Sequence, residues 1–184
     1  MTPERSTILL DLARAAIAEA FDGPKVKRPP HDGWLDEPAA LFVTLHRHGE
    51  LRGCIGSIEA HHSLYHEVLD KARAAAFEDT RMIPVQAREL PELDIEISVL
   101  HPMEPIEAGS EEALLRQLQP GVDGLVLRSR QGSALFLPSV WKELPEPKAF
   151  LRHLMQKARL QRWPADMRAY RFSADVVSQA PVEA

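Results

Sequence analysis

The segment Leu51-Arg52-Gly53-Cys54-Ile55-Gly56 sets the only thiol of the chain two positions from a guanidinium and between two glycines. Residues two apart in a strand share a face, so an extended segment projects Arg52 and Cys54 to the same side. A cation beside a thiol favours the thiolate, which is the nucleophilic form. Gly53 and Gly56 leave backbone amides unshielded, which suits close approach of a ligand or a bulge that aims those amides at an anion. Together these residues fit a small acidic group or an electrophilic carbonyl. Cys54 would be the nucleophile or ligand contact, Arg52 its electrostatic partner, and Leu51 and Ile55 the flanking contacts. The same residues also fit a packing role, because free Cys often serves as a small hydrophobe and paired glycines mark tight contact with a helix.

Other groups could join that chemistry. Glu96 and Ser98 alternate with Ile95, Ile97 and Val99, and so share the non-core face of a predicted strand. Glu96 reads either as a cleft carboxylate, acting as a base or holding Arg52 or Arg81, or as a polar residue on a solvated face. Asp79 and Arg81 follow a predicted helix, where a short ion pair closing a turn and an Arg81 that lines an anion site are the two readings. His46, His48, His61, His62 and His66 fall within twenty-one positions. No third ligand is indicated beside the pairs that share a face, so this cluster predicts no metal site.

The elements that must position these residues follow from periodicity and punctuation. Thr2 caps a helix opened by Pro3, with Leu9, Leu12, Ala16 and Ala20 at helical spacing. Pro24, Pro29, Pro30 and Pro38 make the next stretch a loop, anchored by Trp34 and Leu35. Residues 40–46 and 51–55 flank a turn at His48-Gly49-Glu50 and read as a β-hairpin. Ser63 caps a helix running to Phe77, and 94–100 is a return strand. The order recurs as a hairpin of 124–129 and 134–137, a helix of 147–160 and a strand of 168–177. A helical stretch at 110–118 bridges the two halves. These two hairpin-helix-strand units predict an α+β fold with a mainly antiparallel sheet and flanking helices. Pro102 and Pro105 suggest lobes of about 1–105 and 106–184, with a cleft between them.

Composition limits the function classes. The 184 residues carry 22 Lys plus Arg against 27 Asp plus Glu, a net charge of −5. That leaves no general basic footprint, and the local basic residues (Lys25, Lys27 and Arg28; Arg152, Lys157, Arg159 and Arg162) read as solvated faces, so nucleic acid is not the expected partner. Trp141, Trp163, Phe150 and Tyr170 read as core or lobe-interface residues, not as a stacking platform. Glu4, Asp11 and Glu19 interrupt the apolar positions of the first twenty residues, which therefore read as part of the fold. No apolar run is long enough to span a membrane. A single Cys, with no disulfide to form, fits a reducing, cytoplasmic setting.

The hexapeptide is similar to the hallmark of the AMMECR-type domain, also known as AmmeMemoRadiSam system protein A. Phe42-Val43-Thr44-Leu45, Ala75-Ala76-Phe77-Glu78-Asp79, Ile95 to Leu100, Gly121-Val122-Asp123-Gly124-Leu125 and Leu135-Phe136-Leu137-Pro138 match its order and spacing. The resemblance runs from about residue 5 to 178 and makes the chain one such domain. Thr80-Arg81-Met82 stands where the family usually has Pro-Arg-Phe. The resemblance implies an α+β domain with the hexapeptide near an inter-lobe cleft; the chain itself implies no cofactor, and whether it uses one is unknown. The resemblance also implies association with a Memo-type protein and a radical S-adenosylmethionine enzyme. The family has no established reaction, so two readings stand: a domain that binds a small ligand or partner segment at Leu51 to Gly56, and a stand-alone enzyme using Cys54.

Overall fold

In the computed structural model, residues 1–30 and 32–179 are described. The chain divides into two compact units, one of Met1–Leu100 with the stretch from Asp175, the other His101–Ala174.

The first unit begins with helix α1 (Pro3–Glu19), where the Thr2 hydroxyl accepts from the Arg5 amide and Pro3 sits at the first turn. Its buried face is Leu9, Leu12, Ala13, Ala16 and Ile17. After the Pro-rich loop, Trp34 and Leu35 are buried in a short 3-10 turn, the anchoring role their apolar bulk requires. The strands β1 (Pro38–Ala39), β2 (Leu41–Arg47), β3 (Glu50–Gly56) and β4 (His62–Ser63) follow, then helix α2 (Leu64–Phe77), capped by Ser63, and β5 (Leu93–Leu100). Leu41, Val43 and Leu45 of β2 and Leu93, Ile95 and Ile97 of β5 are fully buried, while their alternating neighbours are mostly half exposed. One face of the sheet therefore carries α1 and α2.

The second unit holds β6 (Glu104–Ile106), α3 (Glu111–Leu115), β7 (Gly124–Ser129), β8 (Gly132–Phe136), α4 (Pro147–Lys157) and β9 (Arg168–Phe172). Its core centres on Phe150, stacked on Trp141 at 3.8 Å, with the Trp141 indole N–H donating to Asp123 O at 2.7 Å.

The fold is α+β with mostly antiparallel pairing, as the element pattern predicts, but it has separate sheets. One has the order β10-β5-β2-β3, where β10 is Ala174–Gln179, and the other β6-β9-β7-β8; β1 and β4 form a two-stranded ribbon. Both larger sheets share a plan: the return strand pairs antiparallel with the first strand of its hairpin, β5 with β2 and β9 with β7. The fourth strands are exchanged. β6 follows β5 but pairs with β9, and β10 follows β9 but lies beside β5. The strand predicted over 168–177 is consequently two strands that separate at Ser173 and join different sheets. Its sequence alternation runs unbroken through Phe172 and Ala174, so nothing local signals the change.

Candidate functional site

The hexapeptide lies almost entirely in β3, which ends its sheet and so turns alternate N–H and C=O groups away from β2. At Cys54 both outward groups are taken. Its N–H donates to Asp79 Oδ2 at 2.9 Å, and its carbonyl accepts from Arg81 Nη2 at 3.3 Å. Asp79 and Arg81 are paired by two further bonds, Nε to Oδ1 at 2.9 Å and Nη2 to Oδ2 at 2.7 Å. The Arg81 guanidinium, followed by the Cys54 and Arg81 amides, holds the Asp79 carboxyl far below its ordinary range against the opposing effect of burial. The residues just beyond α2 thus close the open edge of the hexapeptide strand.

Gly53 is the point where α2 presses closest. A Cβ there would stand 1.9 Å from Ala75 O, so no other residue fits without moving backbone. The second unit repeats this contact, with a Cβ on Gly132 of β8 falling 2.1 Å from Ala158 O.

Arg52 is directed elsewhere. In the pairing of β2 with β3, Leu45 opposes Gly53 and His46 opposes Leu51, which leaves Arg52 as the extra residue of a β-bulge. Its side chain meets buried Glu89 through Nε to Oε1 and Nη2 to Oε2, both 2.9 Å, and also donates to the carbonyls of Ile83 and Pro84. Glu89 further accepts from the Gln86 amide at 2.7 Å and from Arg47 Nη1 at 3.3 Å. Arg52 above all, with the Gln86 amide and Arg47, lowers the Glu89 carboxyl to about 2 although burial opposes this.

The remaining candidates fall into two cross-strand rows. Cys54 opposes Thr44, which opposes Glu96; Gly56 opposes Phe42, which opposes Ser98. The Thr44 hydroxyl lies 3.3 Å from Cys54 Sγ and donates to it, and the thiol is half-buried. Glu96 shares that face half-buried, and Ser98 is buried. Glu96 bonds neither guanidinium: Arg52 is held by Glu89 and Arg81 by Asp79. Ile55 packs against the first core, and Leu51 is exposed. Sequence reasoning did not single out Glu89 or Thr44. The Gln86-x-x-Glu89 spacing of a capping box was the signal available for Glu89.

Beside the bulge lies a groove of about 400 Å³ lined by Arg47, Arg52, Arg81, Met82, Ile83 and Arg88 together with Gln86 and Glu89; Cys54 is not in the lining. Ile83 at its rim is 76% exposed. Its lining combines four guanidinium groups with the apolar side chains of Met82 and Ile83. The histidines disperse: His48 meets Glu92, His61 meets Glu59, and His66 meets Ser63. Among the described residues no group of three or more His, Cys, Asp or Glu is placed to hold a metal ion. Among them, too, no helix is long and apolar enough to cross a membrane.

A family model described as AMMECR1 matches residues 10–177. A protein of Methanothermobacter thermautotrophicus is 35% identical over 182 residues, covering 96% of this chain and 95% of its own. One of Thermococcus gammatolerans is 38% identical over 191 residues, covering 96% and 91%. The crystal structure of the uncharacterized protein PH0010 from Pyrococcus horikoshii superposes with a TM-score of 0.88 at 34% identity, covering 98% of this chain and 95% of that one.

Proposed function

Because this chain belongs to the AMMECR1 family, we propose that it is a binding domain whose docking surface is the groove beside the closed β3 edge. The observation that carries this reading is the commitment of Arg52. Its guanidinium is locked onto Glu89 and lines a groove that Cys54 does not line, so the pair that could activate a thiol is not assembled. Arg47, Arg81 and Arg88 with Met82 and Ile83 offer cations next to an apolar rim, which suits a partner segment carrying acidic and apolar side chains. The partners that the family resemblance implies are a Memo-type protein and a radical S-adenosylmethionine enzyme, in the reducing cytoplasm. Titrating each of them with the wild-type chain and with Ile83→Glu tests the reading: wild type binds one of them, and the new carboxylate weakens that binding.

The hydrogen bond from Thr44 to the Cys54 thiol favours a second reading, in which Cys54 acts on a substrate bound at the Thr44–Glu96 face. Under this reading Cys54→Ser abolishes the cellular function while stability and partner binding remain. Under the first reading Cys54→Ser keeps that function.

A further inference from the structure

Strand β8 ends the second sheet, as β3 ends the first. Alternate residues of an antiparallel edge strand turn both backbone groups away from their neighbour. Lys157 Nζ donates to Leu135 O at 3.0 Å, which marks Leu135, and with it Ser133, as the outward residues of β8. The Ser133 N–H, the Ser133 C=O and the Leu135 N–H meet no protein group among the described residues, and Ser133 is exposed. The first unit treats the corresponding place differently. Gly53 abuts the Ala75 carbonyl and Gly132 the Ala158 carbonyl, and the residue after each glycine, Cys54 or Ser133, faces outward. Four positions past Ala75 is Asp79, which accepts from the Cys54 N–H; four past Ala158 is Arg162, which has no acceptor to offer. Six past Ala75 is Arg81, which donates to the Cys54 carbonyl; six past Ala158 is Pro164, which has no donor. The segment that closes the edge in the first unit therefore leaves it open in the second, and brings cations to it. A Cβ on Gly132 would meet Ala158 O at 2.1 Å and Leu160 Cδ2 at 3.8 Å, so Arg159, between those residues, stands beside the start of β8. Arg159 and Arg162 are exposed, and neither is ion-paired among the described residues.

We propose that the outer edge of β8 is a docking site for an extended, acidic segment of a partner protein, which joins the sheet as a further strand. The segment exchanges two backbone hydrogen bonds with Ser133 and accepts one from the Leu135 N–H, while its carboxylates meet Arg159 and Arg162. An open edge is a template for strand pairing that proteins otherwise cover or blunt, and this chain covers one at β3. Charge selects the occupant. A second copy pairing through β8 would crowd Arg159 and Arg162 of both chains at one edge, whereas an acidic strand neutralises them. The site uses residues of the second unit only, so it stands or falls separately from the groove beside β3.

The test is titration calorimetry and amide hydrogen exchange of the full chain with a blocked peptide of about eight residues, an ordinary strand length. The peptide alternates glutamate and valine, and its valine amides are N-methylated so that one edge alone can pair. It binds, and exchange slows at the Ser133 and Leu135 amides. Methylating the glutamate amides as well abolishes binding. The double variant Arg159→Asn with Arg162→Gln binds the peptide at least about tenfold more weakly, the scale of one lost charge-assisted bond. Asn suits the left-handed backbone at position 159, where φ is 59°, so the fold is kept. A peptide with glutamine in place of glutamate binds wild type more weakly and the double variant no worse than wild type. Absence of binding at ~1 mM peptide overturns the proposal. Slowed exchange that spares Ser133 and Leu135 overturns it, as does equal affinity for the glutamate and glutamine peptides. A chain that dimerises without peptide and already protects those two amides overturns it in favour of a second copy.

Discussion

Arg52 and Glu89 meet fork to fork, with two parallel bonds of 2.9 Å between a bulge residue on the sheet edge and a carboxylate thirty-seven positions later. Glu89 is buried and the Arg52 side chain is 17% exposed, so this pair ties the hexapeptide strand to the 3-10 segment Ala87–Glu92. Such a geometry fixes the position of a guanidinium and takes it out of play as a thiol's counter-ion.

Replacing Arg52 by Met removes both bonds and leaves Glu89 with the Gln86 amide and the more distant Arg47. The expected loss is about 3 kcal/mol of folding stability in urea denaturation, the scale of a buried charge stripped of its partner. The double variant Arg52→Met with Glu89→Leu regains most of it, since no charge is then left buried. A double variant no more stable than the single one would show that the segment depends on the ions themselves.

The same carboxylate gives the chain an acid sensitivity of defined sign. Glu89 has a folded-state value of about 2, below its ordinary 4.5, so the unfolded chain binds its proton first as pH falls. Its contribution is complete above about pH 4.5 and is lost as pH drops through about 2. Asp79, depressed by Arg81, acts in the same direction. Acid titration of stability is therefore flatter in Glu89→Gln than in wild type. Parallel curves for the two proteins over that range would contradict the assignment.

Gly53→Ala and Gly132→Ala are matched tests of the repeated helix-to-hairpin contact. Each added methyl meets a backbone carbonyl, that of Ala75 in α2 at 1.9 Å in the first unit and that of Ala158 just past α4 at 2.1 Å in the second. Each substitution is expected to destabilise by at least about 2 kcal/mol, the range of overpacking with backbone displacement. Wild-type melting of Gly132→Ala would break the parallel between the two units.

What was legible in the sequence is what local chemistry determines. Thr2 and Ser63 cap their helices because a hydroxyl before a helix start finds free amides, and alternation through Leu41 to Leu45 and Ile95 to Val99 marks half-buried strands. The placement of Arg52 and Cys54 in one strand was legible too. The destination of the Arg52 side chain was not, because it depends on an extra residue in the β2–β3 register and on a distant Glu89. The exchange of β6 and β10 between sheets was equally hidden, since strand partners are chosen by tertiary packing. Asp79 read as half of a turn ion pair, which it is; its bond to the Cys54 amide joins two stretches that look independent along the chain.

The docking account is tested most directly by titration calorimetry of the full chain with the Memo-type protein and with the radical S-adenosylmethionine enzyme, using wild type, Cys54→Ser and Ile83→Glu. It predicts that wild type and Cys54→Ser bind the same partner with equal affinity and that Ile83→Glu binds it at least about tenfold more weakly, as for an interface contact worth more than 1 kcal/mol. Failure of wild type to bind either partner, or binding that Ile83→Glu leaves intact, would contradict it.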